Sequence, residues 1–122
     1  MARQSLISAF KCAFAGIGQT IAKERNIKIH LCVAFLAIVL GFVFTISSAE
    51  WLAVVICIGV VLSLEVINSS IEAVVDICSP GYNELARIAK DCAAGAVLVC
   101  AIASVVVAAI IFLPKILGLF FA

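Results

Sequence analysis

Four polar side chains recur at helical spacing in the stretch "SLEVINSSIEAVVD", whose first carboxylate, Glu65, follows fourteen uncharged residues. They form what we call the polar row: Glu65, Asn68, Glu72 and Asp76. At 100° and 1.5 Å per residue, the row falls within an arc of about 80° and extends over about 16 Å of one helix. A carboxylate inside a lipid-embedded helix costs at least about 2.5–3.5 kcal/mol, so such residues usually face a protein interior and mark function.

The depth of the row matters as much as its direction. If the helix enters the membrane at Trp51 on the outer side, about 20 residues bring it to the inner interface near position 70. Glu65 then lies about 7 Å inside the hydrocarbon, while Glu72 and Asp76 emerge among the headgroups. The row leads from shallow lipid to water. Asp76 taken alone is explained equally well as an ordinary interfacial charge.

Further charged residues are predicted on the same side of the membrane. Glu24 lies among the basic residues of "AKERNIKIH", and Lys90 and Asp91 begin the last apolar segment. Separated carboxylates suit Mg²⁺, which prefers a few carboxylates together with phosphate oxygens, and a lysine suits phosphate. These are the components of phosphoryl transfer. Neither GxxxxGK[ST] nor GxGxxG occurs, so a nucleotide would have to be held without either loop.

The composition requires a membrane to position these residues. Of the 122 residues, 66% are hydrophobic and 12% charged, more apolar surface than a small soluble domain can bury. We expect one all-α membrane-embedded domain over residues 1–122, with transmembrane helices at about 29–48, 51–76 and 90–115. An N-terminal amphipathic surface helix at about 4–24 precedes them. The net charge of +1 gives no reason to expect a nucleic-acid partner.

The basic residues predict the orientation. Five precede the first span and two lie between the second and third: Arg3, Lys11, Lys23, Arg25, Lys28, Arg87 and Lys90. The positive-inside rule places both regions in the cytoplasm, which gives a multi-pass plasma (inner) membrane protein with its site on the cytoplasmic side. In the N-terminal segment, we expect an amphipathic helix whose apolar face lies on the phospholipid bilayer. That face consists of Leu6, Phe10, Phe14, Ile17 and Ile21. The alternative is a disordered basic tail.

Two residue types that often bind metals are assigned other roles. His30, the single histidine, stands near the start of a helix at the interface, and we expect it to be a locally satisfied interfacial residue rather than a ligand. The six cysteines show no CxxC spacing, and we interpret them as small apolar fillers.

Two other classes of function remain open at this point. An ion or proton transporter subunit would place its site near the bilayer midplane, often at broken helices, whereas the polar row lies at the cytoplasmic edge. A non-catalytic scaffold would not explain why Glu65 and Lys90 occupy these positions. Equilibrium ATP binding, with and without Mg²⁺, separates these readings.

Two segments carry a family resemblance. "EVINSSIEAVVD", followed by "ARIAKDCAAGAVLV", resembles the small prokaryotic integral-membrane lipid kinases, the diacylglycerol kinase and undecaprenol kinase family, and the similarity covers most of residues 10–113. The pattern E-x-x-N-[ST]-x-x-E-x-x-x-D followed by A-K-D is specific. "ERNIKIHL" and "AKDCAAGAVLV" resemble the undecaprenol kinase branch of Gram-positive bacteria more than the enterobacterial diacylglycerol kinases.

The resemblance implies an ATP-dependent kinase that acts on a membrane lipid alcohol. It implies a homotrimer with active sites shared between subunits, and ATP with Mg²⁺ as the phosphate donor. The branch favours undecaprenol as the acceptor, giving undecaprenyl phosphate. Diacylglycerol, giving phosphatidic acid, is the alternative.

The same resemblance implies roles for individual residues. Glu65 is the general base on the lipid hydroxyl, and Lys28 joins it at the lipid substrate. Glu24 and Glu72 hold the metal that bridges the ATP phosphates, and thereby bind ATP. Asn68 and Asp76 support the site. The remaining ATP contacts are Gly81, Tyr82, Asn83, Lys90 and Asp91, with Asn83 standing where the enterobacterial loop has histidine.

Overall fold

The computed structural model describes residues 3–121, which form four α-helices joined by short connections. The helices are α1 (Leu6–Lys23), α2 (Arg25–Val43), α3 (Ser48–Cys78) and α4 (Glu84–Phe121). No strand occurs among the described residues, and α2, α3 and α4 are each long and apolar enough to cross a membrane. The expected all-α membrane fold with an N-terminal helix is confirmed.

Helices α3 and α4 are longer than a bilayer requires. They contain 31 and 38 residues. A rise of 1.5 Å per residue makes them about 46 and 57 Å long, against a hydrocarbon thickness of about 30 Å. Both helices therefore extend beyond the hydrocarbon. The turn that joins them, residues 79–83, can lie in water together with the last residues of α3 and the first of α4.

A single residue separates α1 from α2. Glu24 has an extended backbone (φ −96°, ψ 127°), and its N–H still bonds the carbonyl of Thr20 at 2.9 Å. The chain therefore turns at Glu24 without a loop. The apolar face expected on α1 is exposed at Leu6, Phe10 and Phe14, uncovered by any other described part of the chain. A helix lying on a membrane needs such a face.

The opposite end of the molecule is closed by a short turn between α2 and α3. Ser47 caps α3, because its hydroxyl accepts from Glu50 N–H and the Glu50 carboxylate accepts from Ser47 N–H. Glu50 also pairs with Lys115 of α4 at 2.9 Å. Gly41 lies against the Trp51 ring, where a Cβ would come within 2.6 Å of Cη2. This end is packed tightly enough to fix the register of α2 on α3.

The main packing of the chain is between α3 and α4. At the capped end, a cluster of buried residues joins them: Ile46, Val54, Ile111 and Phe112. Toward the other end, the buried side of α3 becomes polar, at Glu65 and Asn68. The fold thus places an apolar core near the turn and a polar site near the other membrane face.

Candidate active site

Burial decreases along the polar row in the direction that its depth predicts. Glu65 is 2% exposed and Asn68 9%, Glu72 is half-buried, and Asp76 is exposed. The row therefore joins the interior of the helix bundle to water. A polar reactant at the exposed end and an apolar reactant at the buried end can both reach it.

Glu65 and Asn68 occupy the packing face of α3. The buried residues of this helix are Val54, Val61, Glu65 and Asn68, at spacings of seven, four and three. Apolar residues at this spacing pack helices together, so a carboxylate and an amide here replace packing side chains. Burying a charge is costly unless it is paired or hydrogen-bonded. The position of Glu65 therefore calls for a chemical explanation.

His30 of α2 is the partner of Glu65. Its Nε2 lies 3.1 Å from Glu65 Oε1, and the two side chains are 23% and 3% exposed. The interpretation of His30 as a locally satisfied interfacial residue missed this contact between helices. A signal for it is present in the sequence, because His30 shares a helix face with Ile27 and Ala34, both buried.

A small polar pocket adjoins this pair, between α2, α3 and α4. Its polar lining consists of Asn26, His30, Glu65 and Asn68, and α4 contributes mainly apolar residues such as Val97. Asn68 Oδ1 is buried without a hydrogen-bond partner in residues 3–121. Buried polar atoms are nearly always hydrogen-bonded, so an unpaired acceptor here marks a place where a polar group of a ligand can bind.

An apolar cavity of about 250 Å³ lies on the other side of His30. It runs between the three long helices, and its lining includes Val33, Val61, Val105 and Phe112. His30 lines both this cavity and the polar pocket. The two spaces together suit a molecule with a hydrocarbon body and one polar end.

Glu24 and Glu72 are the expected metal ligands. Both are half-buried, and neither forms a salt bridge within the described chain. Carboxylate oxygens that are not held in a salt bridge fit a hard divalent ion such as Mg²⁺. Within residues 3–121, no group of three or more His, Cys, Asp or Glu side chains gathers at one point. A metal here would need other oxygens, as Mg²⁺ obtains from phosphates.

The charged residues expected to bind the nucleotide are held by neighbours. Lys90 of α4 pairs with Asp76 of α3 across the connecting turn. Asp91 pairs with Arg87 at 2.7 Å, and Arg87 also pairs with Glu84 at 2.5 Å. These exposed pairs set the position of Lys90 relative to the end of the polar row. Asp76, an undecided residue in the sequence, is thus the ion-pair partner of Lys90.

The expected ATP loop, residues 81–83, is exposed and its polar side chains have local partners. Asn83 caps α4, since its Oδ1 accepts from Ala86 N–H at 3.1 Å. The Tyr82 hydroxyl donates to Glu84 Oε2 at 2.5 Å. No polar contact among the described residues joins this loop to Glu65.

Lys28 lies at the α1–α2 corner. Its Nζ donates to the carbonyl of Ala22 at 3.4 Å. None of the polar contacts in the described chain joins it to Glu65.

Comparisons with known proteins place this geometry in context. Residues 11–112 match the family described as prokaryotic diacylglycerol kinase. The chain is 40% identical to the undecaprenol kinase of Bacillus subtilis (strain 168) over 107 residues, which is 88% of this chain and 87% of that protein. It is 37% identical to a diacylglycerol kinase of Synechocystis over 116 residues, 94% of this chain and 66% of that protein. Identity to the diacylglycerol kinase of Escherichia coli (strain K12) is 28% over 101 residues, 83% of each.

Proposed function

This chain belongs to the prokaryotic diacylglycerol kinase family, and is thus a membrane-embedded lipid kinase; we propose that it transfers the γ-phosphate of ATP to undecaprenol. The observation that carries the proposal is Glu65, a carboxylate 2% exposed on a membrane-crossing helix, which lines the polar pocket and contacts His30 where that pocket adjoins the apolar cavity. The similarity to an undecaprenol kinase supports the choice of acceptor. Because the chain belongs to a lipid kinase family, the hypotheses of a transporter subunit and of a non-catalytic scaffold are set aside.

In the proposed reaction, Glu65 accepts the proton of the lipid hydroxyl. The lipid oxygen forms a bond to the γ-phosphorus, the bond from that phosphorus to the β,γ-bridging oxygen breaks, and ADP leaves. Because phosphoryl transfer depends largely on positioning and charge neutralisation, a base fixed by burial is the main requirement on the lipid side. Asn68, one turn away on the same face, lines the pocket that receives the hydroxyl.

On the nucleotide side, we assign Mg²⁺ to Glu24 and Glu72. When bound, the ion supplies neutralisation of the phosphate charge. Lys90 and Asp91, at the start of α4, and the turn containing Gly81, Tyr82 and Asn83 are assigned to ATP. The ion pair with Asp76 holds the ammonium group of Lys90 at the exposed end of the polar row. Lys28, at the α1–α2 corner, is assigned to the headgroup region of the lipid substrate.

The proposal places the site at the cytoplasmic face of the plasma membrane, within one domain. Its support is the charge distribution, since seven of the eight basic residues precede position 29 or lie at positions 87 and 90, in the two regions that the positive-inside rule places in the cytoplasm. The eighth, Lys115, is paired with Glu50 at the other end.

The proposal also includes a homotrimer with sites shared between subunits. Its basis is the family resemblance, which implies this assembly. Light scattering in detergent tests this, with about 38 kDa of protein expected, three times the 12.8 kDa chain. A protein mass of one chain would contradict it.

The acceptor is tested with purified protein in mixed micelles, γ-labelled ATP, and undecaprenol or diacylglycerol side by side. Undecaprenol needs few polar contacts, and the polar pocket offers few. We expect higher kcat/KM for undecaprenol. Diacylglycerol is the second candidate because the Synechocystis relative carries that name. A preference for diacylglycerol of about tenfold, or 1.4 kcal/mol, would overturn the assignment.

A further inference from the structure

His30 has no part in the reaction described so far, yet it makes the polar contact with the proposed base. We propose that His30 is a positioning residue for Glu65: its Nε2–H donates to Glu65 Oε1 and leaves Oε2 to accept the proton of the lipid hydroxyl. The proposal rests on the proposed function.

The first support is the contact itself. His30 Nε2 and Glu65 Oε1 are 3.1 Å apart, within hydrogen-bond distance. No other polar side chain in the described residues forms a hydrogen bond or ion pair with Glu65. Burying a carboxylate costs free energy unless it is hydrogen-bonded. Without a donor, the Glu65 side chain would therefore not be held in this orientation.

The second support is the backbone that carries His30. Ile27, three residues before it, is 1% exposed, and Ala34, four residues after it, is also buried. Both lie on the same face of α2 as His30, so the burial of that face restricts the position of the His30 backbone. An imidazole has only two side-chain torsions, and it holds its N–H at a fixed reach from that backbone.

The third support is the location between two spaces. His30 is shared by the linings of the apolar cavity and of the polar pocket. A lipid alcohol with its chain in the cavity would present its hydroxyl beside the imidazole. In this arrangement His30 holds one carboxylate oxygen of Glu65, and the other oxygen is available to accept the proton of the hydroxyl.

Two amide variants test which ring nitrogen matters. His30→Gln places its amide N–H₂ near the position of Nε2, whereas His30→Asn places it near Nδ1. We expect His30→Asn to lower kcat about 10–100-fold, because small misplacement of a catalytic group costs up to about 10²-fold. His30→Gln should recover most of that loss, and both should bind ATP as the wild type does. Equal losses in the two variants, or no loss in His30→Asn, would overturn the proposal.

A double-mutant cycle separates positioning from general structural support. If His30 acts through Glu65, His30→Asn should lower the rate little further once Glu65→Gln is present. An undiminished loss in that background would show that His30 acts elsewhere, and would overturn the proposal.

An activity-independent measurement keeps this inference distinct from the proposed function. His30 is the single histidine, so ¹⁵N-histidine labelling gives one imidazole in the NMR spectrum of the full chain. We expect a proton on Nε2, and a shift of that nitrogen in Glu65→Gln but not in Asp76→Asn. An Nε2 without a proton, or equal shifts in both variants, would overturn the contact. A wild type that shows the expected spectrum but phosphorylates neither lipid would overturn the proposed function alone.

Discussion

Glu65→Gln is the substitution with the largest expected effect on turnover. The change removes the proton acceptor but preserves the shape of the side chain. The next carboxylate in the row, Glu72, is seven residues away, or about 10 Å along the helix. A general base must lie about 2.6–3.2 Å from the oxygen that carries the proton, so Glu72 cannot substitute.

The size of the effect follows from this isolation. Glu65 is 2% exposed, so bulk water cannot readily serve as the base in its place. The variant should therefore lose the full contribution of general-base catalysis, about 10²–10⁴-fold in kcat. At about 1.4 kcal/mol for each tenfold change, the barrier rises by about 3–5 kcal/mol. The amide oxygen can still accept from His30, so the helices should remain packed.

Turnover and ATP binding are measured on one folded preparation of the variant, with labelled ATP and undecaprenol. Because the assigned nucleotide contacts lie at the other end of the row, the Kd for ATP should stay near that of the wild type. Turnover within about fivefold of the wild type would refute the base assignment, since general-base catalysis contributes more than that. Loss of ATP binding would instead make Glu65 a nucleotide or metal residue.

Three further predictions concern the metal, the nucleotide and the packed end of the molecule. Glu24→Gln and Glu72→Gln should each raise the Mg²⁺ concentration needed for half-maximal activity, with Asp76→Asn as the less affected control; an unchanged Mg²⁺ titration for Glu24→Gln would remove that residue from the site. Lys90→Met should raise KM for ATP about tenfold or more while leaving KM for the lipid unchanged, as loss of a charged hydrogen bond worth about 1.5–3 kcal/mol requires; an unchanged KM for ATP would contradict its assignment. Gly41→Ala should lower the free energy of unfolding by about 1–3 kcal/mol, because its Cβ would overlap the Trp51 ring. Gly18→Ala, with open space at its Cβ, is the control, and equal stabilities for the two variants would contradict the packing argument.

Local patterns in the sequence are enough to predict the fold class. Long apolar runs interrupted at "TISSAE" and "CSPGYNE" leave few alternatives to membrane-crossing helices. The polar row was also predictable, because 100° per residue places Glu65 and Asn68 on one face, and the structure buries both. Even the cap of α3 can be read from Ser47 and Glu50, three residues apart.

Contacts between helices could not be predicted in the same way. The pairing of His30 with Glu65 depends on the relative rotation of α2 and α3, which no spacing within one helix reports. The pair of Asp76 with Lys90 depends on how the turn at 79–83 folds back. The same holds for Glu50 and Lys115, which are 65 residues apart in the chain. Long-range pairing is fixed by packing, and a single sequence does not display packing.

In a lipid kinase, the γ-phosphate of ATP moves to a lipid hydroxyl rather than to water. The most direct measurement follows both products at once, with purified wild-type protein in mixed micelles that contain undecaprenol and Mg²⁺. From γ-labelled ATP, we predict one labelled lipid phosphate extracted into solvent for each ADP formed, and no labelled lipid from α-labelled ATP. ADP formation with free phosphate and no labelled lipid, or label carried from the α position, would show that the protein does not phosphorylate the lipid with the γ-phosphate.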